Sequence, residues 1–241
     1  MKLVDILIKY KYLLLIILLL MIYFLLTSED SLDEIYNCMN KYDINEIYEY
    51  KNLLSNEECD KIIELSRGKV KRSTVIGDNK NDISDVRTSE NTFLKNDIDP
   101  LLKNIDERIY NIIGINPKNY EDLQVVHYSP NQYYKAHWDA CDPEYDKRCL
   151  NDVKKGGLRF ATFIIYLNDD WDDTWGGGLE IWSRDGLTME HKVIPKFNRC
   201  VIFRTDDTSF HGHPNPLDCP EDKLRKSLAL YYYTGSDLVY A

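Results

Sequence analysis

The chain has no Cys-x-x-Cys pair among its 6 cysteines, which argues against a structural zinc site. It has no surplus of positive charge either. Its 30 lysines and arginines against 40 acidic residues leave a net charge of −10 and a pI of about 5.0. Phosphate binding needs a basic face, so no nucleic-acid partner is expected. There is no internal repeat, and no low-complexity tract beyond one apolar run near the N-terminus. What is present is globular: 44% hydrophobic and 12% aromatic residues over 241 positions, enough for one domain with a substantial core. The 18 tyrosines suit half-buried strands.

Tyr12 to Leu26 is an unbroken apolar run with Lys2, Lys9 and Lys11 before it and Glu29 and Asp30 after it. A spanning helix needs about 20 apolar residues; Thr27 and Ser28 extend the run, and the lysines can snorkel. The reading is a membrane anchor over 1–28 with its N-terminal side cytosolic, followed by an acidic stalk over 29–46. The remainder then faces a lumen or the exterior. A cleaved signal peptide is the rival, but no small-x-small pattern follows Leu26. The cysteines are consistent with an oxidising compartment. Cys141 and Cys149 share a polar loop and could bridge, while Cys200 reads as a buried thiol.

Residues 47–54 read as a first strand. Ser55-Asn56-Glu57-Glu58 is a capping box opening a helix to about Arg67, with Gly68 as terminator. Residues 77–85 read as a polar loop. Ile98, Leu101, Leu102, Ile105, Ile109 and Ile112 recur at helical spacing, predicting a second helix over 97–113. From 121 onward the pattern changes to short strands: 123–128, 158–167, 179–182, 189–194, 200–203 and 227–234. Such strands suggest a sandwich or jelly roll.

His137-Trp138-Asp139 can direct an imidazole and a carboxylate to one ion, because residues i and i+2 of a strand share a face. A second histidine from a distant strand would complete a facial triad with open positions, as used for non-haem iron(II). His211 and His213 compete for that position in Phe210-His211-Gly212-His213-Pro214. His-x-Asp alone is weak; the order of segments around it carries more.

From about residue 50 to the C-terminus the chain resembles the prolyl 4-hydroxylases of the 2-oxoglutarate oxygenase superfamily. The likeness lies in Leu54-Ser55-Asn56-Glu57-Glu58-Cys59-Asp60, Val86-Arg87-Thr88-Ser89 with Phe93-Leu94, and Leu123 to Tyr128. It continues through Gln132-Tyr133, His137-Trp138-Asp139, Arg159 to Asn168, Gly176-Gly177-Gly178-Leu179 and Phe210-His211-Gly212. The resemblance implies a mainly β fold with flanking α: a double-stranded β-helix (jelly roll) core at about 121–235 with N-terminal helices, in a domain of 47–241. It puts the distal ligand before glycine, so His137, Asp139 and His211 would hold Fe(2+).

It also implies 2-oxoglutarate as co-substrate and a reductant such as ascorbate. Tyr128 matches the position whose phenol hydrogen-bonds 2-oxoglutarate. Arg225 and Ser227 would share a strand face and hold its far carboxylate, with Lys226 outward. His127 alternates with Tyr128 and reads as structural. His191 reads as exposed. Collagen-type and plant-type members usually carry lysine where this chain has Arg225; arginine with a nearby hydroxyl occurs in other branches. The implied activity is hydroxylation of peptidyl proline at C4 in a proline-rich or collagen-like chain, with release of succinate and CO2. The catalytic domain would be lumenal, of the endoplasmic-reticulum type, or exterior. Oxygenation of another residue, a lipid or a small molecule stays open, as does a non-catalytic β-helix binding domain. The loops over 77–85 and 140–155 would close over a peptide, and Trp138, Trp171, Trp175 and Trp182 would line a groove or fill the core.

Overall fold

The computed structural model describes residues 48–75, 82–113, 121–140 and 159–233. The expected anchor, the stalk, Cys38, the Cys141–Cys149 pair and most of the two substrate loops lie outside them. Among the described residues no helix is long and apolar enough to cross a membrane.

Strand β1 (Tyr48–Lys51) leads into helix α1 (Asn56–Ser66). The capping box forms: Glu58 N donates to Ser55 Oγ at 3.1 Å, and Ser55 N donates to Glu58 Oε2 at 2.7 Å. Gly68, with φ of 69°, ends the helix in the left-handed region. After β2 (Lys71–Arg72) and β3 (Glu90–Leu94) comes α2 (Pro100–Ile113). The apolar spacing predicts a start near Asp97, but Pro100 decides the boundary. A residue before proline is driven out of helical conformation, and proline itself suits the first helical position. Asp99 then caps, accepting from Leu101 N at 3.0 Å. Arg108 of α2 forks onto Glu58 of α1 at 2.8 Å on both arms, tying the helices together.

The remaining strands are β4 (Leu123–Tyr128), β5 (Tyr134–His137), β6 (Arg159–Tyr166), β7 (Leu179–Trp182), β8 (Met189–Val193), β9 (Arg199–Arg204), β10 (Phe210–His213) and β11 (Arg225–Tyr233). They build a seven-stranded sheet, β1-β9-β6-β11-β4-β3-β2, and a four-stranded sheet, β5-β10-β7-β8. Every strand pair is antiparallel. This is the jelly-roll architecture expected. Strands β2, β3, β5 and β10 are the additions: short or polar, they carry no clean apolar alternation.

Alternation sorts the large sheet into two faces. Val125, Phe163, Ile165, Leu228, Leu230 and Tyr232 pack outward against Cys59, Ile62, Leu102, Ile105 and Ile109 of the helices. Tyr166, Val201 and Phe203 face inward against Leu179, Ile181 and Val193 of the small sheet. Val126 and Tyr128 meet Leu217 and Cys219, with Tyr134, Trp171 and Trp175 beside them. Cys59, Cys200 and Cys219 are free, buried thiols. The site lies on this inner side.

Candidate metal centre

β10 pairs antiparallel with β5, setting His211 opposite His137. Asp139 follows two residues after His137, just past the strand end. The potential ligand atoms of His137, Asp139 and His211 all lie within 4.8 Å of one another. Each histidine ties its Nδ1 to a carbonyl two residues earlier: His137 to Lys135 O at 2.9 Å and His211 to Ser209 O at 2.8 Å. A carbonyl only accepts, so Nδ1 carries the proton and the Nε2 lone pair is free for a metal. These nitrogens stand 3.5 and 3.4 Å from the two Asp139 oxygens. Burial pushes His211 down to about 4, so its ring is neutral.

Burial alone would raise the Asp139 pKa, but His211, His137 and Arg159 hold the carboxyl well below its usual range. Thr162 Oγ1 donates to Asp139 Oδ2 at 3.1 Å, with Thr205 behind it at 2.8 Å. Arg159 reaches the other carboxylate oxygen at 3.8 Å while pairing with Glu121 at 2.6 Å. Two imidazoles and a carboxylate fit a divalent iron site.

Tyr134 and His137 stack with ring centroids 3.8 Å apart. They are three residues apart, a spacing that should set them on opposite faces of a strand. The register shift between His211 and His213 explains the stack: His213 pairs with Tyr134, so Lys135 and Ala136 together oppose Gly212. A Cβ on Gly212 would sit 2.8 Å from Tyr134 O and 2.9 Å from Ala136 Cα, so only glycine lets the strands approach this closely. Arg87, of the Val86-Arg87-Thr88-Ser89 segment, lies over the Tyr134 ring at 4.9 Å. Tyr134, Arg159 and Thr162 escaped sequence reasoning about the site. A bulge hides the first, and long-range pairing brings the other two to Asp139.

Arg225 and Ser227 are both buried on β11, Arg225 opposite Tyr128 of β4. Arg225 Nε donates to Gly177 O at 2.7 Å, and the guanidinium lies 5.2 Å from the Tyr128 ring and 5.1 Å from that of Tyr166. Gly177 has φ of 72°, and a Cβ there would meet Arg225 Cδ at 2.8 Å. Among the described residues no carboxylate pairs with Arg225. A buried guanidinium without a carboxylate fits an anionic ligand such as one end of 2-oxoglutarate. Lys226 is half-buried on the opposite face of β11.

His213 is buried at the end of β10, and its ring packs edge-on against Tyr128 at 4.3 Å. His127 is half-buried on the other face of β4, its pKa pushed down to about 4 by burial. His191 is exposed and lies 3.4 Å from Glu49. Trp138 is 47% exposed and packs with its ring tilted against Phe210 at 4.3 Å, whereas Trp171 and Trp175 pack edge to face.

Residues 123–233 match the family model of the 2OG-Fe(II) oxygenase superfamily. Prolyl 4-hydroxylase 5 of Arabidopsis thaliana is 32% identical over 201 residues, covering 73% of this chain and 64% of the relative. Probable prolyl 4-hydroxylase 3 of the same plant is 38% identical over 187 residues, covering 68% and 62%. The chain therefore spans somewhat under two thirds of these relatives' lengths. Among solved structures, a Trichoplax adhaerens prolyl hydroxylase bound to a hypoxia inducible factor peptide fragment aligns with TM-score 0.62. That likeness has 16% identity over 91% of this chain and 96% of the other. The viral collagen prolyl hydroxylase of Paramecium Bursaria Chlorella virus-1, in its 2OG complex, aligns with TM-score 0.53 and 22% identity, over 77% and 94%. At these identities the two structures speak for the fold. By its sequence relatives and the matching family model, the chain belongs to the prolyl 4-hydroxylase family of the 2OG-Fe(II) oxygenases.

Proposed function

We propose that the chain is an iron(II)- and 2-oxoglutarate-dependent dioxygenase that hydroxylates peptidyl proline at C4 in proline-rich or collagen-like chains. The observation that carries this is the convergence of His137, Asp139 and His211 on one point, with both Nε2 atoms free to coordinate. Iron with 2-oxoglutarate supplies the oxidising chemistry: one oxygen atom of O2 goes to succinate, the other to the substrate C–H, and CO2 is released. The protein's own task is to hold and orient. His137, Asp139 and His211 would take the metal, with Thr162 and Arg159 fixing the Asp139 carboxylate. Arg225, Ser227 and Tyr128 would anchor the far carboxylate of 2-oxoglutarate. Ascorbate is the reductant expected of such an enzyme.

The proline assignment is supported by the plant relatives' names, by the peptide-bound Trichoplax enzyme and by the viral collagen hydroxylase. The exposed Trp138 ring, packed on Phe210 and adjacent in sequence to His137 and Asp139, offers a flat apolar surface for an extended prolyl segment. A second reading, oxygenation of another residue or a small molecule, is favoured by one observation, Arg225 where lysine is usual in the collagen and plant types. The domain is taken as 47–241 and residues 1–28 as a membrane anchor, with the catalytic domain lumenal or exterior. Only the apolar run Tyr12–Leu26 supports that attachment. Alkaline extraction and protease protection of the full chain in membranes test it.

Succinate release with iron, 2-oxoglutarate, ascorbate and a proline-rich or collagen-like peptide tests the main reading. Peptide-stimulated turnover with one oxygen added to proline supports it. Uncoupled turnover alone favours the second reading. No turnover from iron-loaded protein would make the chain a binding domain.

A further inference from the structure

His211 and His213 project from the same face of β10, since they are two residues apart on a strand whose extra residues lie on its partner. His211 joins the metal triad. His213 sits farther along, 5% exposed, against the Tyr128 ring, over which the Arg225 guanidinium also lies. Both of its ring nitrogens are buried, and neither has a hydrogen-bond partner among the described residues. The contrast with its neighbours is direct. His137 and His211 each bind a carbonyl through Nδ1, and Arg225 binds the Gly177 carbonyl. A buried imidazole with both nitrogens idle bears the full cost of desolvation, and an apolar side chain would pack there without that cost. Gly212 lets β10 lie close on β5 and so fixes how deep His213 reaches.

We infer that His213 is a further binding residue for 2-oxoglutarate, a ring N–H donating to the distal carboxylate beside Arg225. The inference rests on the 2-oxoglutarate reading proposed above. Arg225 already matches the charge of that carboxylate. A second, directional donor lets the pocket discriminate between 2-oxo acids with and without a distal carboxylate. His213 thereby sets selectivity and takes no part in holding the metal.

The test is an anaerobic titration of the iron(II)-loaded full chain with 2-oxoglutarate, read by the charge-transfer absorbance of the complex. It is repeated with 2-oxobutyrate, which lacks the distal carboxylate. The proteins are the wild type, His213→Leu and His213→Gln, each with iron content measured. Losing one hydrogen bond to a charged group should weaken 2-oxoglutarate binding by roughly tenfold or more in His213→Leu. Binding of 2-oxobutyrate should change by less than about threefold, and His213→Gln, which keeps an N–H, should recover part of the loss. If His213→Leu binds 2-oxoglutarate as the wild type does, or loses both oxo acids equally, the inference is overturned. Should the wild type with full iron give no 2-oxoglutarate signal, the proposed function itself fails.

Discussion

His137 and His211 face one another across the β5–β10 pairing with ring centroids 4.5 Å apart, and each is oriented by the carbonyl two residues before it. The same local device on two antiparallel strands aims both Nε2 atoms at the Asp139 carboxylate.

The first prediction concerns the ligands. On the proposed assignment, His137→Ala or His211→Ala removes a metal donor and should abolish turnover and iron retention. His213→Ala should keep its iron. Metal content after dialysis, measured beside succinate release, checks both; loss of iron from His213→Ala would reverse the ligand assignment.

Arg225→Ala should raise the 2-oxoglutarate requirement by roughly tenfold to a hundredfold, the cost of a charge-assisted hydrogen bond. Lys226→Ala, on the opposite face of β11, should change it by less than about twofold. Initial rates against 2-oxoglutarate concentration compare the two, and the reverse order would contradict the facing of β11.

Thr162→Val keeps the shape of the side chain but removes the hydroxyl that donates to Asp139. Supporting partners of metal ligands are worth about 10- to 100-fold in affinity, so iron binding should weaken by that factor. Thr162→Ser should stay near wild type. Competition with a metal-binding dye reads the difference.

Asp106 is 1% exposed on α2 and accepts from Tyr232 at 3.0 Å and from Asn96. Burial pushes its pKa up to about 7 from an ordinary 3.8, outweighing those two hydrogen bonds. The folded state thus holds a proton that the unfolded chain releases earlier. Stability from this group is full below about pH 4 and falls as pH rises to about 7, by at most about 1.4 kcal/mol per unit. Asp106→Asn should flatten that slope. Urea unfolding midpoints of both proteins between pH 4 and 8 decide it.

Sequence patterns were most informative where the determinant is local. Ser55 and Glu58 cap α1 through atoms three residues apart, and the strand-like segments Leu123–Tyr128 and Leu179–Trp182 match β4 and β7 end to end. Arg225-x-Ser227 shares a buried face because a strand alternates. Asp97 failed as a helix start because Pro100 overrides the apolar spacing. Strands β5 and β10 were illegible because Tyr134–His137 and Phe210–His213 are too short and polar to show a period.

The sequence by itself determined the kinds of group available: a His-x-Asp, two candidate histidines around a glycine, and an arginine two residues before a serine. These follow from local spacing and from the resemblance of ordered segments. Only the tertiary structure decided which groups meet. The β5–β10 register brings His211, and not His213, to His137 and Asp139; the bulge at Lys135-Ala136 stacks Tyr134 on His137; and β6 delivers Thr162 and Arg159 to Asp139. Such meetings depend on pairing between strands distant in the chain, a choice made by burial across two sheets that no local pattern records.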